Sequence, residues 1–167
     1  MNMWLFLVAF PAMNERKLLL YGFGGHARSV ADVALSCGYT SLLFVDAQAR
    51  PGETFAGHSV VSTFKHLEGN WPHAIAASGN AEIRQKQCDE LAAQSFHLVS
   101  VLSPLSSIAH NSEVANGSFV GHHAHIGPCA RVGRGTIINT GAVVEHDSSV
   151  GDFAHVSVNA TLAGRSC

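Results

Sequence analysis

Charged residues are scarce in this sequence, and those present are dispersed. Asp, Glu, Lys and Arg make up 13% of the 167 residues, and the formal net charge is -2. No stretch is strongly basic, so the sequence lacks the positive patch that nucleic-acid binding requires. Hydrophobic residues make up 47%, which argues against a disordered chain. We therefore expect a folded protein of one or two domains without a nucleic-acid partner.

Paired cysteines and long apolar runs are also missing. The four cysteines form no CxxC pair, which indicates free thiols in a reducing cytoplasm rather than a disulfide framework or a zinc site. The apolar run at residues 3–13 is too short to span a bilayer, and no Lys or Arg precedes it as in a signal peptide. We expect residues 1–16 to be a disordered extension of a cytoplasmic protein with no membrane span. A weak signal or membrane anchor is the alternative.

What the sequence does have is a period of six residues between 108 and 162. An aliphatic residue recurs at every sixth position: Ile108, Val114, Val120, Ile126, Val132, Ile138, Val144, Val150, Val156 and Leu162. A small residue follows each of them four positions later. This period fits neither a helix nor a hairpin and is typical of a parallel β-helix, in which three six-residue units close one coil of a triangular prism. Flat faces carrying Ala124, Ala142 and Ala160 would then pack around a threefold axis in a homotrimer.

The part of the chain before this repeat has the pattern of a small α/β domain. Strands are predicted at 17–21, 41–45, 60–61, 73–77 and 97–102, and helices at 26–36, 63–68 and 81–93, with a loop at 47–58. Strand, turn, helix and strand in succession imply a parallel sheet with right-handed crossovers. Ser103-Pro104 is a break that divides the chain into two parts, 17–104 and 105–167.

A glycine-rich turn follows the first predicted strand. Gly22-x-Gly24-x-x-Ala27 matches the dinucleotide-binding fingerprint, and Asp46 lies near the usual spacing for a ribose-binding carboxylate. Glycine lets a phosphate approach the backbone, and the helix N-terminus offers free N–H donors. The turn predicts a phosphate-bearing nucleotide but does not specify which one. NAD binding and a tight turn without a ligand remain alternatives.

The second candidate site is Glu145-His146-Asp147. His146 follows the inward-facing Val144 by two positions, so its side chain should point outward, where a neighbouring carboxylate can fix its tautomer. This arrangement suits a general base, although an ordinary exposed histidine would look the same. No ligand spacing among the remaining histidines supports a metal site, and none is expected.

Three stretches, LLLYGFGGHARSVAD, SGNAEIRQK and INTGAVVEHDSSVGDFAHVSVNATLAG, resemble the hexapeptide-repeat sugar acetyltransferases. That family includes sialic-acid O-acetyltransferases and UDP-4-amino-sugar N-acetyltransferases. The resemblance implies a small Rossmann-like α/β domain that binds the UDP-sugar, followed by an all-β left-handed parallel β-helix that binds acetyl-CoA. It also implies a trimer with sites between neighbouring prisms. Family members usually continue for several coils beyond the last residue of this sequence, so a C-terminally truncated β-helix with weak acetyl-CoA binding is expected.

The resemblance also assigns roles to individual residues. His146 would be the general base and Asp147 the residue that orients it. Acetyl-CoA would contact His155, Asn139 and Gly164. The phosphates of the sugar nucleotide would face Gly22, Gly24, Gly25 and His26, and the nucleoside would lie near Asp46, Asn80 and Arg84.

The predicted function is therefore acetyl-CoA-dependent N-acetylation of a UDP-4-amino sugar. The amine would attack the thioester directly, without an acyl-enzyme. O-acetylation of sialic acid or a related sugar is the nearest alternative. An NAD-binding protein and a non-catalytic trimeric scaffold are the others.

Overall fold

The structure is a computed structural model that describes residues 15–65, 67 and 69–167. The expectation of a disordered extension therefore lies outside the described residues, except for Glu15 and Arg16. Both of these have partners: Glu15 accepts a hydrogen bond from Ser41 Oγ at 2.6 Å, and Arg16 stacks its guanidinium over Tyr39. In the part of the chain that is described, neither helix is long and apolar enough to cross a membrane.

Residues 17–98 form an α/β layer built on one mixed sheet. Its strands are β1 (Lys17–Tyr21), β2 (Ser41–Val45), β3 (Thr54–Phe55), β4 (His58–Val61), β5 (His73–Ala76) and β6 (His97–Leu98), in the order β3-β4-β2-β1-β5-β6. Only the β3–β4 pair is antiparallel. The helices are α1 (Gly25–Ser36) and α2 (Ala81–Ala93). The central strands are buried on both faces, which explains why β1 and β2 are continuous apolar runs.

The rest of the chain is a left-handed parallel β-helix of two-residue strands. These are β7 (Val101–Leu102), β8 (Ser107–Ile108), β9 (Glu113–Val114), β10 (Phe119–Val120), β11 (His125–Ile126), β12 (Arg131–Val132), β13 (Ile137–Ile138), β14 (Val143–Val144), β15 (Ser149–Val150), β16 (His155–Val156) and β17 (Thr161–Leu162). They form three parallel sheets, β7-β10-β13-β16, β8-β11-β14-β17 and β9-β12-β15, which are the three faces of a triangular prism. The recurring aliphatic residues fill the prism, as the six-residue period predicted.

One face of the prism is covered by the α/β layer. The outward residues of β7, β10 and β13 are Val101, Phe119 and Ile137, and all three are buried in one cluster with the apolar side of α1. We call this sheet the covered face. Polar contacts at its edge add to the packing: His122 Nδ1 is 2.6 Å from Ser103 Oγ, and its Nε2 is 3.2 Å from Asp32 on α1.

Four predictions from the sequence need correction. The strand expected at 97–102 is two strands in two sheets, because β6 pairs with β5 while β7 pairs with β10. The loop expected at 47–58 contains β3, which forms a hairpin with β4. Its two turn residues, Ala56 and Gly57, both have positive φ, and alanine does not signal that conformation in a sequence. The residues of 63–68 that are described are not helical.

The fourth correction concerns the small residues of the repeat. Ala124 and Ala142 are at most 1% exposed and pack inside the prism with the aliphatic residues, and Ala160 packs against the same cluster. They therefore do not form a flat outer face, and they give no support to a threefold interface. The trimer itself stays a prediction.

Candidate active site

The carboxyl ends of β1, β2 and β5 open into a cavity of about 570 Å³. In open parallel sheets, ligands bind at this edge. The glycine turn at residues 22–26 forms one wall, residues 45–48 form a second, and residues 77–79 form a third. All four residues expected to face phosphates, Gly22, Gly24, Gly25 and His26, line this one cavity.

The glycine turn leads directly into the N-terminus of α1. The N-cap is Gly24, and it provides no side chain to cap the helix, so the first N–H groups of α1 lie open at the cavity wall. Asp46 also lines the cavity, and it holds the turn in place. Its Oδ2 accepts a hydrogen bond from Phe23 N–H and its Oδ1 one from Gln48 N–H, each at 2.9 Å. A carboxylate has further lone pairs, so Asp46 can still accept from a ligand hydroxyl.

Helix α2 adds cavity residues that the sequence analysis missed. Ile83 and Gln87 lie one helical turn apart and both face the cavity. The Oε1 of Gln87 accepts a hydrogen bond from Ser78 N–H at 3.2 Å and so fixes the third wall. The i, i+4 spacing on the helix after β5 is the signal that could have identified the pair. Asn80 lies next to the cavity but caps α2 through the Ile83 N–H, at 3.0 Å.

His26 lies between this cavity and the covered face of the prism. Its ring packs edge-to-face on Phe119 at 5.0 Å between centroids, and it lies 6.4 Å from the ring of His155. The Nε2 atom is buried, and it has no hydrogen-bond partner among the described residues. Burial, helped by the charge of Arg84 and by His155, lowers the pKa of His26 to about 4. The imidazole is therefore neutral at physiological pH.

His155 and Asn139 form a pair on the prism next to His26. Asn139 Nδ2 donates to His155 Nε2 at 3.0 Å, and its Oδ1 accepts from Thr140 N–H, which fixes the orientation of the amide. Burial and the charge of Arg84 lower the pKa of His155. The structure thus brings two of the three residues expected to contact acetyl-CoA close to the cavity at the end of the sheet.

Arg84 does not take the place that was expected for it. Its side chain is 1% exposed, and its guanidinium donates to five backbone carbonyls, those of Ser78, Gly79, Gly135, Phe153 and Ala154. An arginine has five N–H donors, so none is left for a nucleoside. Arg84 instead joins α2 to the β-helix.

The remaining candidates, His146, Asp147 and Gly164, lie together at another corner of the prism. His146 Nδ1 is 2.8 Å from Asp147 Oδ2, and each side chain is about half exposed. Asp147 has a φ of 59°, a left-handed conformation that aspartate adopts more readily than most residues. Gly164 lies one coil further on. A methyl group there would be 2.5 Å from His146 Nε2, so the imidazole lies directly against this glycine.

Comparisons with known proteins show which family the chain resembles. Residues 17–91 match the family model described as the PglD N-terminal domain. The acetyltransferase domain of PglB from Neisseria gonorrhoeae, solved with acetyl coenzyme A, is 31% identical with a TM-score of 0.81, and the match covers 90% of this chain and 74% of that one. This chain belongs to the hexapeptide-repeat sugar acetyltransferases.

Two other solved structures extend the comparison. A variant of perosamine N-acetyltransferase from Caulobacter crescentus, in complex with CoA and GDP-perosamine, is 27% identical with a TM-score of 0.80, over 89% of this chain and 72% of that one. WeeI from Acinetobacter baumannii is 20% identical with a TM-score of 0.79, over 87% of this chain and 71% of that one, and shares the fold. Membership of the acetyltransferase family favours that activity over the NAD-binding and scaffold alternatives.

In this acetyltransferase the two groups of candidate residues lie on opposite sides of one prism. The α/β layer packs on the covered face and on the two corners that flank it, through His122 at one and Arg84 at the other. His146 lies in the turn between β14 and β15, which joins the two uncovered faces. We call this the far corner. The cavity at the end of the sheet and His146 of one chain therefore cannot meet.

The structure also bears on the expectation that no metal takes part. The described residues include no group of three or more His, Cys, Asp and Glu side chains placed to hold a metal ion. The absence of a metal requirement stays a prediction.

Proposed function

We propose that the chain transfers the acetyl group of acetyl-CoA to the amino group of a nucleotide-activated 4-amino sugar, with a UDP-sugar as the acceptor. The observation that carries this proposal is the pair His146–Asp147, joined at 2.8 Å and set against Gly164 on the outside of the prism. An exposed imidazole with a carboxylate on one nitrogen has its other nitrogen free for a proton. Membership of the acetyltransferase family implies that the electrophile is the thioester carbonyl of acetyl-CoA.

The reaction needs one proton transfer. The amine of the acceptor attacks the thioester carbonyl, the C–S bond breaks, and CoA leaves as the thiolate or thiol. His146 Nε2 takes the proton that the amine loses as the C–N bond forms. Asp147 accepts the Nδ1–H and so keeps Nε2 unprotonated before the attack and stabilises the imidazolium after it. Such general-base catalysis contributes about 10²- to 10⁴-fold to the rate.

The nucleotide would bind in the cavity at the end of the parallel sheet. Its phosphates would lie against the N–H groups of Gly24, Gly25 and the first turn of α1, where the helix dipole favours negative charge. The ribose hydroxyls would reach Asp46. Because His26 is neutral, it would act toward the acceptor through a hydrogen bond rather than through a charge. The ring lines the cavity, although its Nε2 is buried and has no hydrogen-bond partner among the described residues.

A complete site in this proposal takes parts from two chains of a homotrimer. One chain would supply the cavity with His26, Asn139 and His155, and its neighbour would supply His146, Asp147 and Gly164 from its far corner. We propose two chains because these two groups of residues lie on opposite sides of one prism. Symmetric closed oligomers bring different surfaces of identical chains together in this way.

The direct test is acetyl transfer measured by release of the CoA thiol. The protein would be given acetyl-CoA with a UDP-4-amino sugar, a GDP-4-amino sugar or a sialic acid. We expect turnover with the UDP-sugar, and we expect kcat to fall about 10²- to 10⁴-fold in the His146→Ala variant. His123→Ala is the matched control, since His123 is an exposed histidine at a different corner. Turnover with sialic acid alone would show that the acceptor is sialic acid and not a UDP-4-amino sugar. No turnover with any of the three acceptors would refute the proposal.

Mixing two variants of low activity tests the shared site. Gly24→Asp places a carboxylate where the phosphates would bind, and Gly24 has room for a side chain, with no atom within 4 Å of an added Cβ. Random trimers of Gly24→Asp and His146→Ala chains would recover roughly a quarter of wild-type activity, because one site in four combines two intact halves. No recovery, with mixed trimers shown to form, would mean that each chain holds a complete site.

A further inference from the structure

The guanidinium of Arg84 bridges the two halves of the chain in a way that packing alone does not require. Arginine is almost never fully buried unless it is paired, and a buried charge is costly even then. Arg84 is 1% exposed, and its five hydrogen bonds all go to backbone carbonyls rather than to a carboxylate. An apolar residue could fill the same space at lower cost. The charge and the fork geometry therefore need an explanation beyond stability.

The carbonyls fall into two groups that belong to different parts of the site. Nη1 donates to Ser78 at 2.9 Å and to Gly79 at 3.1 Å, and both of these residues line the nucleotide cavity. On the other side, Nε donates to Gly135 at 2.6 Å, and Nη2 donates to Phe153 and Ala154. Ala154 is directly followed by His155.

The same charge acts on the two imidazoles between these groups. Burial and Arg84 lower the pKa of His26 to about 4, and burial and Arg84 also lower the pKa of His155. The rings of these histidines lie 6.4 Å apart. The groups that face His155 are therefore His26 from α1, Arg84 from α2 and Asn139 from the preceding coil. Of these, only Arg84 carries a permanent charge.

We propose that Arg84 is a positioning residue of the acetyltransferase site, which fixes the Ser78 and Gly79 wall of the nucleotide cavity relative to the segment that carries His155. The inference rests on the proposed function, because it gives His155 a place in that site. Arg84 touches neither substrate. It acts through backbone carbonyls, whose positions determine where the bound nucleotide sugar lies relative to His155. A misplacement of about 1 Å far from the chemistry can lower a rate by about 100-fold.

Two substitutions separate the fork from the charge. Arg84→Lys keeps a positive charge but replaces the planar fork by a single ammonium group. Arg84→Met removes both. Lys86→Met is the matched control, because it removes a positive charge from an exposed position of the same helix. Circular dichroism and the melting temperature would show that each variant is folded at the assay temperature.

The first measurement is the pH titration of the His155 ring by NMR, with a His155→Gln spectrum to assign the signal. We expect the pKa of His155 to rise toward its ordinary value in Arg84→Met and to stay lowered in Arg84→Lys and in Lys86→Met. The amide signals of Ser78 and Gly79 should shift in both Arg84 variants and not in the control. A residue that only stabilises the fold would lower the melting temperature and leave kcat unchanged in a variant that is folded at the assay temperature.

The second measurement is kcat against KM for the nucleotide sugar. We expect kcat to fall about 10- to 100-fold in both Arg84 variants. If Arg84→Met does not fold, Arg84→Lys still tests the fork through kcat and the Ser78 and Gly79 signals. A folded Arg84 variant with kcat within twofold of wild type would overturn the inference. If wild type transfers no acetyl group, the proposed function fails, whereas an active wild type with equally active Arg84 variants refutes only the positioning role of Arg84.

Discussion

His26 should make the stability of the fold depend on pH between about pH 6.5 and pH 4. Burial lowers its pKa from the ordinary 6.5 to about 4. The unfolded chain therefore binds a proton as the pH falls below 6.5, and the folded chain does not bind it until about pH 4. Protonation favours the unfolded state over this window, so stability is lost as the pH falls. One pKa unit corresponds to about 1.4 kcal/mol, so the complete effect is about 3 kcal/mol, of which about 2 kcal/mol is lost by pH 5.

The measurement is urea unfolding at about pH 7.5 and about pH 5, at one protein concentration, in wild type and in His26→Gln. Glutamine does not titrate, so the variant should lose about 2 kcal/mol less than wild type between the two pH values. Comparing the two differences removes the contribution of groups that both proteins share. His110→Gln is the matched control, since His110 is exposed. An equal pH dependence in wild type and His26→Gln would refute a buried, neutral His26.

Three further predictions concern the prism. His146→Ala should lower kcat by about 10²- to 10⁴-fold, and it should cost little stability because the side chain is half exposed. Asp147→Asn should lower kcat less. Steady-state kinetics measures kcat in both variants, and thermal unfolding measures their stability. Gly164→Ala should lower kcat by about tenfold or more, because the added methyl group would lie 2.5 Å from His146 Nε2 and force the imidazole to move. Gly151→Ala is the control and should change kcat little, because a Cβ there meets no atom within 4 Å. Gly135→Ala should destabilise the fold by about 2–4 kcal/mol in urea unfolding, because its φ is +59° and the new Cβ would be 2.5 Å from Phe153 Cε1; the reasoning fails if stability is unchanged.

The six-residue period made most of the β-helix predictable. Whether a residue points inward depends only on its phase in that period, so the core positions follow from the sequence by counting. The phase also gives the turn geometry: positive φ recurs every six residues, from Gly117 to Arg165. The outward side chain of His146 was predictable for the same reason. Its half-exposed environment and its contact with Asp147 agree with that phase.

Relations between distant segments were not predictable. The covered face is recognisable only once α1 is seen packed on Phe119 and Ile137: the phase marks both as outward-facing apolar residues, but it does not say what covers them. Arg84 was expected at the nucleoside because of the resemblance to the acetyltransferase family. Three of its five partners are backbone carbonyls of residues that are 51 to 70 positions away, and every residue has a carbonyl. Such a contact leaves no pattern in the sequence.

In the prism, the direction of a side chain around the axis and its height along the axis can change independently. Each unit of six residues advances a side chain by a third of a turn around the axis, and each coil of three units raises it by one strand spacing while leaving its direction unchanged. A natural insertion of one unit before residue 145 would therefore turn His146 and Gly164 together to a different corner, by a third of a turn relative to the covered face. An insertion of three units would keep the corner and change only the height. Relatives that share a catalytic corner should thus differ in length, over this part of the chain, by whole coils.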